Sequence, residues 1–306
     1  LAVPSSTRTA TTGVVLTATA TANSTSPPTL GTATGTVIST GTAIGTVIAT
    51  GTADSTATTG VSGTATETTV PTVSPTVCLI QFTDVPQGYT FYPFVRCLAC
   101  RGVFGGYACG HNPNEPCDPN NNAYFRPGAL ITRGQIAKIV SNSAGFNDSP
   151  GPQVYEDVNS SSPFYVWINR LTNRGYMGGY PCGTRPDEPC VAPENRPYFR
   201  PGDNASRGQL SKIVSNTAGF NEPHTEQSYT DVPTDAPFYI WIERLTTRGV
   251  MGGYACGDTN PETGQAEPCD ATNRPYFRSA NSVTRGQTAK IVSNTFFPGC
   301  NPPFNR

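Results

Sequence analysis

Charge is scarce in this chain of 306 residues: Asp, Glu, Lys and Arg make up 13%, and they balance to a net charge of -1. That scarcity excludes the basic face that nucleic acid demands and an acidic interaction tail. No run approaches eighteen apolar residues, so no membrane span is expected. Only two histidines occur, His111 and His224, and neither has a partner at ligand spacing. The opening Leu1-Ala2-Val3-Pro4 has neither a basic start nor an apolar core, so any export signal is expected to have been removed. No Ser/His/Asp order, paired-carboxylate motif or phosphate loop stands out. The stretch Asp258 to Gly264 has the oxygen-rich look of a calcium loop but no closing bidentate Glu, and reads as a solvated turn. The expectation is a non-enzyme with no cofactor and no metal.

What is present divides the chain in two. Residues 1–77 are about one-third Thr, with Ala, Gly, Ser and Val as most of the rest and no Cys or aromatic residue. From Cys78 onward all ten cysteines appear, an even number that suits an oxidising, extracellular compartment.

Between Gly31 and Ala53 the amino-terminal segment sorts its side chains with period two. Thr32, Thr34, Thr36, Ile38, Thr40, Thr42, Ile44, Thr46, Ile48 and Thr50 alternate with Gly, Ala, Val and Ser. β-Branched residues favour extended backbone, and a strand sends alternate residues to opposite faces. The pattern predicts a β-strand arm with a Thr/Ile ridge and a Gly/Ala floor. With hardly any large apolar side chain, such an arm cannot bury itself and is expected to pair with other copies of the chain. Composition alone also allows a disordered, O-glycosylated stalk.

The second region repeats one unit three times, taken as residues 78–150, 151–224 and 225–306. The copies open at Phe82-Thr83-Asp84-Val85, Tyr155-Glu156-Asp157-Val158 and Tyr229-Thr230-Asp231-Val232. Phe164, Trp167, Ile168 and Leu171 fall on one helical face, with Ser162-Pro163 as the expected start and Gly175 as the stop. A second helix is announced by Thr132-Arg133-Gly134-Gln135, Ser206-Arg207-Gly208-Gln209 and Thr284-Arg285-Gly286-Gln287, each a capping box. One helix–loop–helix unit buries too little to stand alone, so the three are expected to share a core.

These motifs, with Gly-Gly-Tyr and Tyr-Phe-Arg between them, resemble the S-layer homology family across residues 80–296. The resemblance implies a mainly α head of three modules in a pseudo-threefold assembly on a bacterial cell surface. It also implies binding to cell-wall polysaccharide, with Arg133, Arg207 and Arg285 at the glycan groove. A cation in the first helical turn opposes the helix dipole at a cost of about 0.3–1 kcal/mol. Three copies of that cost call for a compensating anion, either internal (Asp84, Asp157 and Asp231) or an acidic group on a polymer. The chain departs from the family in Gln135, Gln209 and Gln287, where Glu is usual. It also departs in having longer loops before each Tyr-Phe-Arg.

Each inserted loop carries two cysteines, and their threefold recurrence predicts the pairs Cys109 with Cys117, Cys182 with Cys190, and Cys256 with Cys269. Cys97 and Cys100 are then expected to reach Cys78 and Cys300 and to tie down both ends of the domain. Two functional expectations follow. One is an extracellular structural subunit of a self-assembling fibre or layer, polymerised through the arm. The other is a polysaccharide-binding wall anchor on a Thr-rich stalk. Finding no further cargo domain in the sequence favours the first.

Overall fold

The computed structural model describes residues 78–300. The expected β-strand arm, including the alternation over residues 31–53, lies outside the described residues, as do residues 301–306. The described region is mainly helical: α1 (Tyr92–Cys100), α2 (Arg133–Ser143), α3 (Tyr165–Asn173), α4 (Arg207–Thr217), α5 (Tyr239–Thr247) and α6 (Arg285–Phe296). No helix among the described residues is long and apolar enough to cross a membrane.

The capping boxes start α2, α4 and α6 as the sequence dictates. Thr132, Ser206 and Thr284 accept from the backbone N–H of Gln135, Gln209 and Gln287, whose side chains reach back to the cap N–H. The first helix of the second repeat starts differently from expectation. In the second repeat the cap is Phe164, without a side-chain cap bond, rather than Ser162. Ser162 instead closes a preceding turn, its carbonyl accepting from Tyr165 N–H at 3.1 Å. The stop is as expected, at Gly175 with φ of +71°, a conformation that costs glycine little.

The three repeats interlock in a cycle. Helices α2, α4 and α6 contact one another, while α3 packs on α2, α5 on α4 and α1 on α6. Each repeat thus lays its first helix against the second helix of the repeat before it, and the last step returns to the start. A cycle of backbone hydrogen bonds joins the approach to the central helices. Ile131 N–H donates to Val283, Val283 N–H to Ala205 and Ala205 N–H to Ile131, each at 3.0 Å. All three side chains are fully buried, and Phe125, Phe199 and Phe277 are buried with them. A unit whose edge groups are satisfied only by its neighbours has little reason to fold alone.

Five disulfides are formed, and no described cysteine is free. Three staple the inserts: Cys109–Cys117, Cys182–Cys190 and Cys256–Cys269. The other two are Cys78–Cys100 and Cys97–Cys300. This usage fits an oxidising, extracellular environment.

Candidate functional site

The sequence-marked arginines stand at the first position of α2, α4 and α6, and each is 5% exposed or less. Their guanidinium groups turn away from their own helix onto the following repeat. Arg133 Nε donates to the Phe199 carbonyl at 2.9 Å and Nη2 to the Gly178 carbonyl at 2.8 Å. Arg207 does the same with Phe277 and Gly252, and Arg285 with Phe125 and Gly105, all at 2.8 Å. Burial pushes all three guanidinium groups down from their ordinary pKa.

The aspartates offered as their internal partners are engaged elsewhere. Asp157 accepts from the backbone N–H of Phe199 at 2.7 Å and of Arg200 at 2.6 Å. Asp84 and Asp231 do the same for Phe125 with Arg126 and for Phe277 with Arg278. These carboxylates pin the Tyr-Phe-Arg turn, in which Arg126, Arg200 and Arg278 have φ of +59°, +61° and +59°. Backbone carbonyls and aromatic rings, rather than carboxylates, therefore hold the helix-start arginines. The Arg133 guanidinium carbon lies 4.5 Å from the Phe199 ring centre and 5.1 Å from that of Tyr180.

Three related grooves open beside these arginines. One of about 210 Å³ is lined by Arg133, Gly178, Tyr180, Gln209, Lys212 and Phe238, among others. A second, about 280 Å³, has Arg207, Gly252, Tyr254, Gln287, Lys290 and Phe91 in the same parts. The third, about 190 Å³, has Arg285, Gly105, Tyr107, Gln135 and Lys138. Each joins two or three repeats and places two cations on its wall, with no carboxylate among the lining residues.

The groove tyrosine is fixed from two sides. Gln135, Gln209 and Gln287 donate Nε2–H to the hydroxyls of Tyr107, Tyr180 and Tyr254 at 3.1, 3.1 and 3.2 Å. Glutamine here accepts at the helix cap and donates to the phenol at once. Over each ring lies a second guanidinium, from Arg126, Arg200 or Arg278, at 4.0, 3.9 and 4.0 Å from the centre. Behind it Gly179 is required: a Cβ would stand 2.5 Å from the Tyr155 ring and 2.6 Å from the Tyr198 carbonyl.

Sequence reasoning missed the residue that neutralises this second arginine. Glu115, Glu188 and Glu267 are buried and bind Arg126, Arg200 and Arg278, with Nε–Oε1 distances of 2.7, 2.6 and 2.8 Å. That bond pulls the Glu115 and Glu188 carboxyls below their usual range and holds their partners above theirs. The signal was available, since Glu-Pro-Cys recurs in all three inserts. The lysines were also missed, although Lys138, Lys212 and Lys290 stand three residues after each Gln. The His224 side chain is only 15% exposed and lies 3.6 Å from Glu222. The Asp258–Gly264 turn is docked rather than free, because buried Asn260 exchanges hydrogen bonds with Asn281 at 3.0 and 2.7 Å.

No protein-family model matches the chain, and no curated protein matches it.

Proposed function

We propose that the chain is a non-catalytic extracellular structural protein of a bacterial cell surface, with three S-layer homology modules in pseudo-threefold assembly as its head. The grooves between modules hold an acidic polysaccharide of the cell wall. One observation carries this reading: each groove sets a buried arginine and a lysine around an aromatic ring, with no carboxylate on its wall. Such a wall favours an anionic ligand with a flat sugar face. The test is co-sedimentation of the full chain with purified cell-wall glycan, before and after chemical blocking of the glycan's acidic groups. Binding that is lost on blocking and weakened by Arg207→Ala supports the reading; binding to neither preparation ends it.

A second reading concerns the arm. The sorting of β-branched and tiny residues over 31–53 supports strand pairing between copies, so that the head would decorate a fibre or layer. Electron microscopy of the purified protein tests it. Polymer from the full chain but not from a chain cut near Val77 agrees with the arm as driver; polymer from the cut chain rules it out.

A further inference from the structure

Both limits of the described region are tied to one turn of one helix. Cys78, where the amino-terminal segment enters, is bonded to Cys100, and Cys300, which precedes the carboxyl-terminal residues, is bonded to Cys97. Cys97 and Cys100 lie at the end of α1. The shortest covalent route from residue 77 to residue 301 therefore runs from Cys78 across to Cys100, back along α1 to Cys97, and across to Cys300. Residues 101–299, which hold almost all of the three-repeat ring, are not on that route.

From this connectivity we infer that the two disulfides form a mechanical bypass, which carries tension along the chain without loading the fold of the head. The Cα–Cα distances across the two bonds are 5.7 and 5.9 Å. The three residue-to-residue steps from Cys97 to Cys100 add at most about 3.3–3.6 Å each, so Cys78 and Cys300 cannot be drawn more than about 22 Å apart while both bonds hold. The same stretch of chain without cross-links would reach roughly 780 Å at that rise per residue. Helix α6 lies off this route, so tension does not peel it from α1, the helix with which it closes the cycle. Polar anchoring reinforces the entry point, with an Arg96 guanidinium N–H donating to the Cys78 carbonyl. The grooves thus keep their shape under a load that would unravel an uncross-linked chain. The inference needs no ligand and stands apart from the proposed binding role.

The two bonds are unequal, and the difference gives the test. Handles at the two termini of the full oxidised chain are pulled in a single-molecule force experiment. Wild type is expected to show no lengthening from the head at forces that unfold ordinary domains. Cys97→Ser with Cys300→Ser releases the ring apart from its three insert staples, so a gain of about 600 Å is expected. Cys78→Ser with Cys100→Ser releases only the short first loop, a gain of about 50 Å. Should a variant fail to fold, wild type held at constant force with added dithiothreitol must show the same long and short steps as individual bonds are reduced. The insert staples add steps of about 20–40 Å once the ring is open; lengthening of oxidised wild type by hundreds of ångströms, or reduction that gives no long step of about 600 Å, would overturn the bypass.

Discussion

The ring of Phe164, from the second repeat, lies so close to Gly134 of the first that a Cβ on the glycine would stand 2.7 Å from Cδ2. Phe238 on Gly208 and Phe91 on Gly286 repeat the contact at 2.5 Å, and the last pair closes the cycle. The expected capping box therefore has a glycine behind its arginine because a neighbouring module rests on it.

Alanine at these glycines should destabilise the head, although alanine is the better helix former by about 1 kcal/mol. Overpacking against a half-buried ring seated on the core costs about 1–3 kcal/mol. Gly286→Ala should be the worst, because its Cβ would also stand 3.0 Å from the Pro127 carbonyl. Urea denaturation of the three single variants checks the order; a gain in stability at any of them contradicts the contact.

Asp157→Ala should cost about 3 kcal/mol or more, since it removes two charge-assisted bonds from a turn held at positive φ. Asp157→Asn keeps one acceptor oxygen and should fall between that variant and wild type. The same denaturation midpoints decide it, and glycan binding should follow stability rather than drop independently.

Acid should weaken the head in a defined direction. The Glu115, Glu188, Asp118 and Asp148 carboxyls are all held below their ordinary values, the glutamates and Asp148 chiefly by arginine and Asp118 chiefly by the Asn122 backbone N–H. Groups with a lowered folded pKa stabilise fully above the ordinary carboxylate range. That stabilisation is lost as the pH falls through the lowered values. Stability measured from neutral pH downward should be flat at first and then decline, and Glu188→Gln should make the decline shallower.

Binding and folding should separate at the groove cations. Lys138, Lys212 and Lys290 are exposed or half-buried and rest on Trp167, Trp241 and Phe94 at 4.6, 4.7 and 5.9 Å from the ring centres. Replacing all three by Gln should leave the thermal midpoint within a few degrees of wild type while weakening acidic-glycan binding and its salt dependence. Arg133→Ala should lower both binding and stability, because it strips donors from the Phe199 and Gly178 carbonyls. Unchanged glycan binding in the lysine variant would remove those residues from the site.

Much of the head was legible from local signals. The capping boxes at Thr132, Ser206 and Thr284, the insert cysteine pairs and the helical stripe through Ile168 and Leu171 depend on neighbours a few residues apart. Such short-range chemistry repeats faithfully wherever the sequence repeats. The partners of Arg133, Arg207 and Arg285 could not be read in this way, because they lie 45 to 180 residues away, across a repeat boundary. Charge alone pointed to aspartate, whereas packing delivered carbonyls and ring faces. The sequence by itself determined the three units, their helices and the staples within each insert. Only the tertiary structure decided that each unit completes its neighbour, since closing a cycle depends on which edges meet in space and no local propensity encodes that.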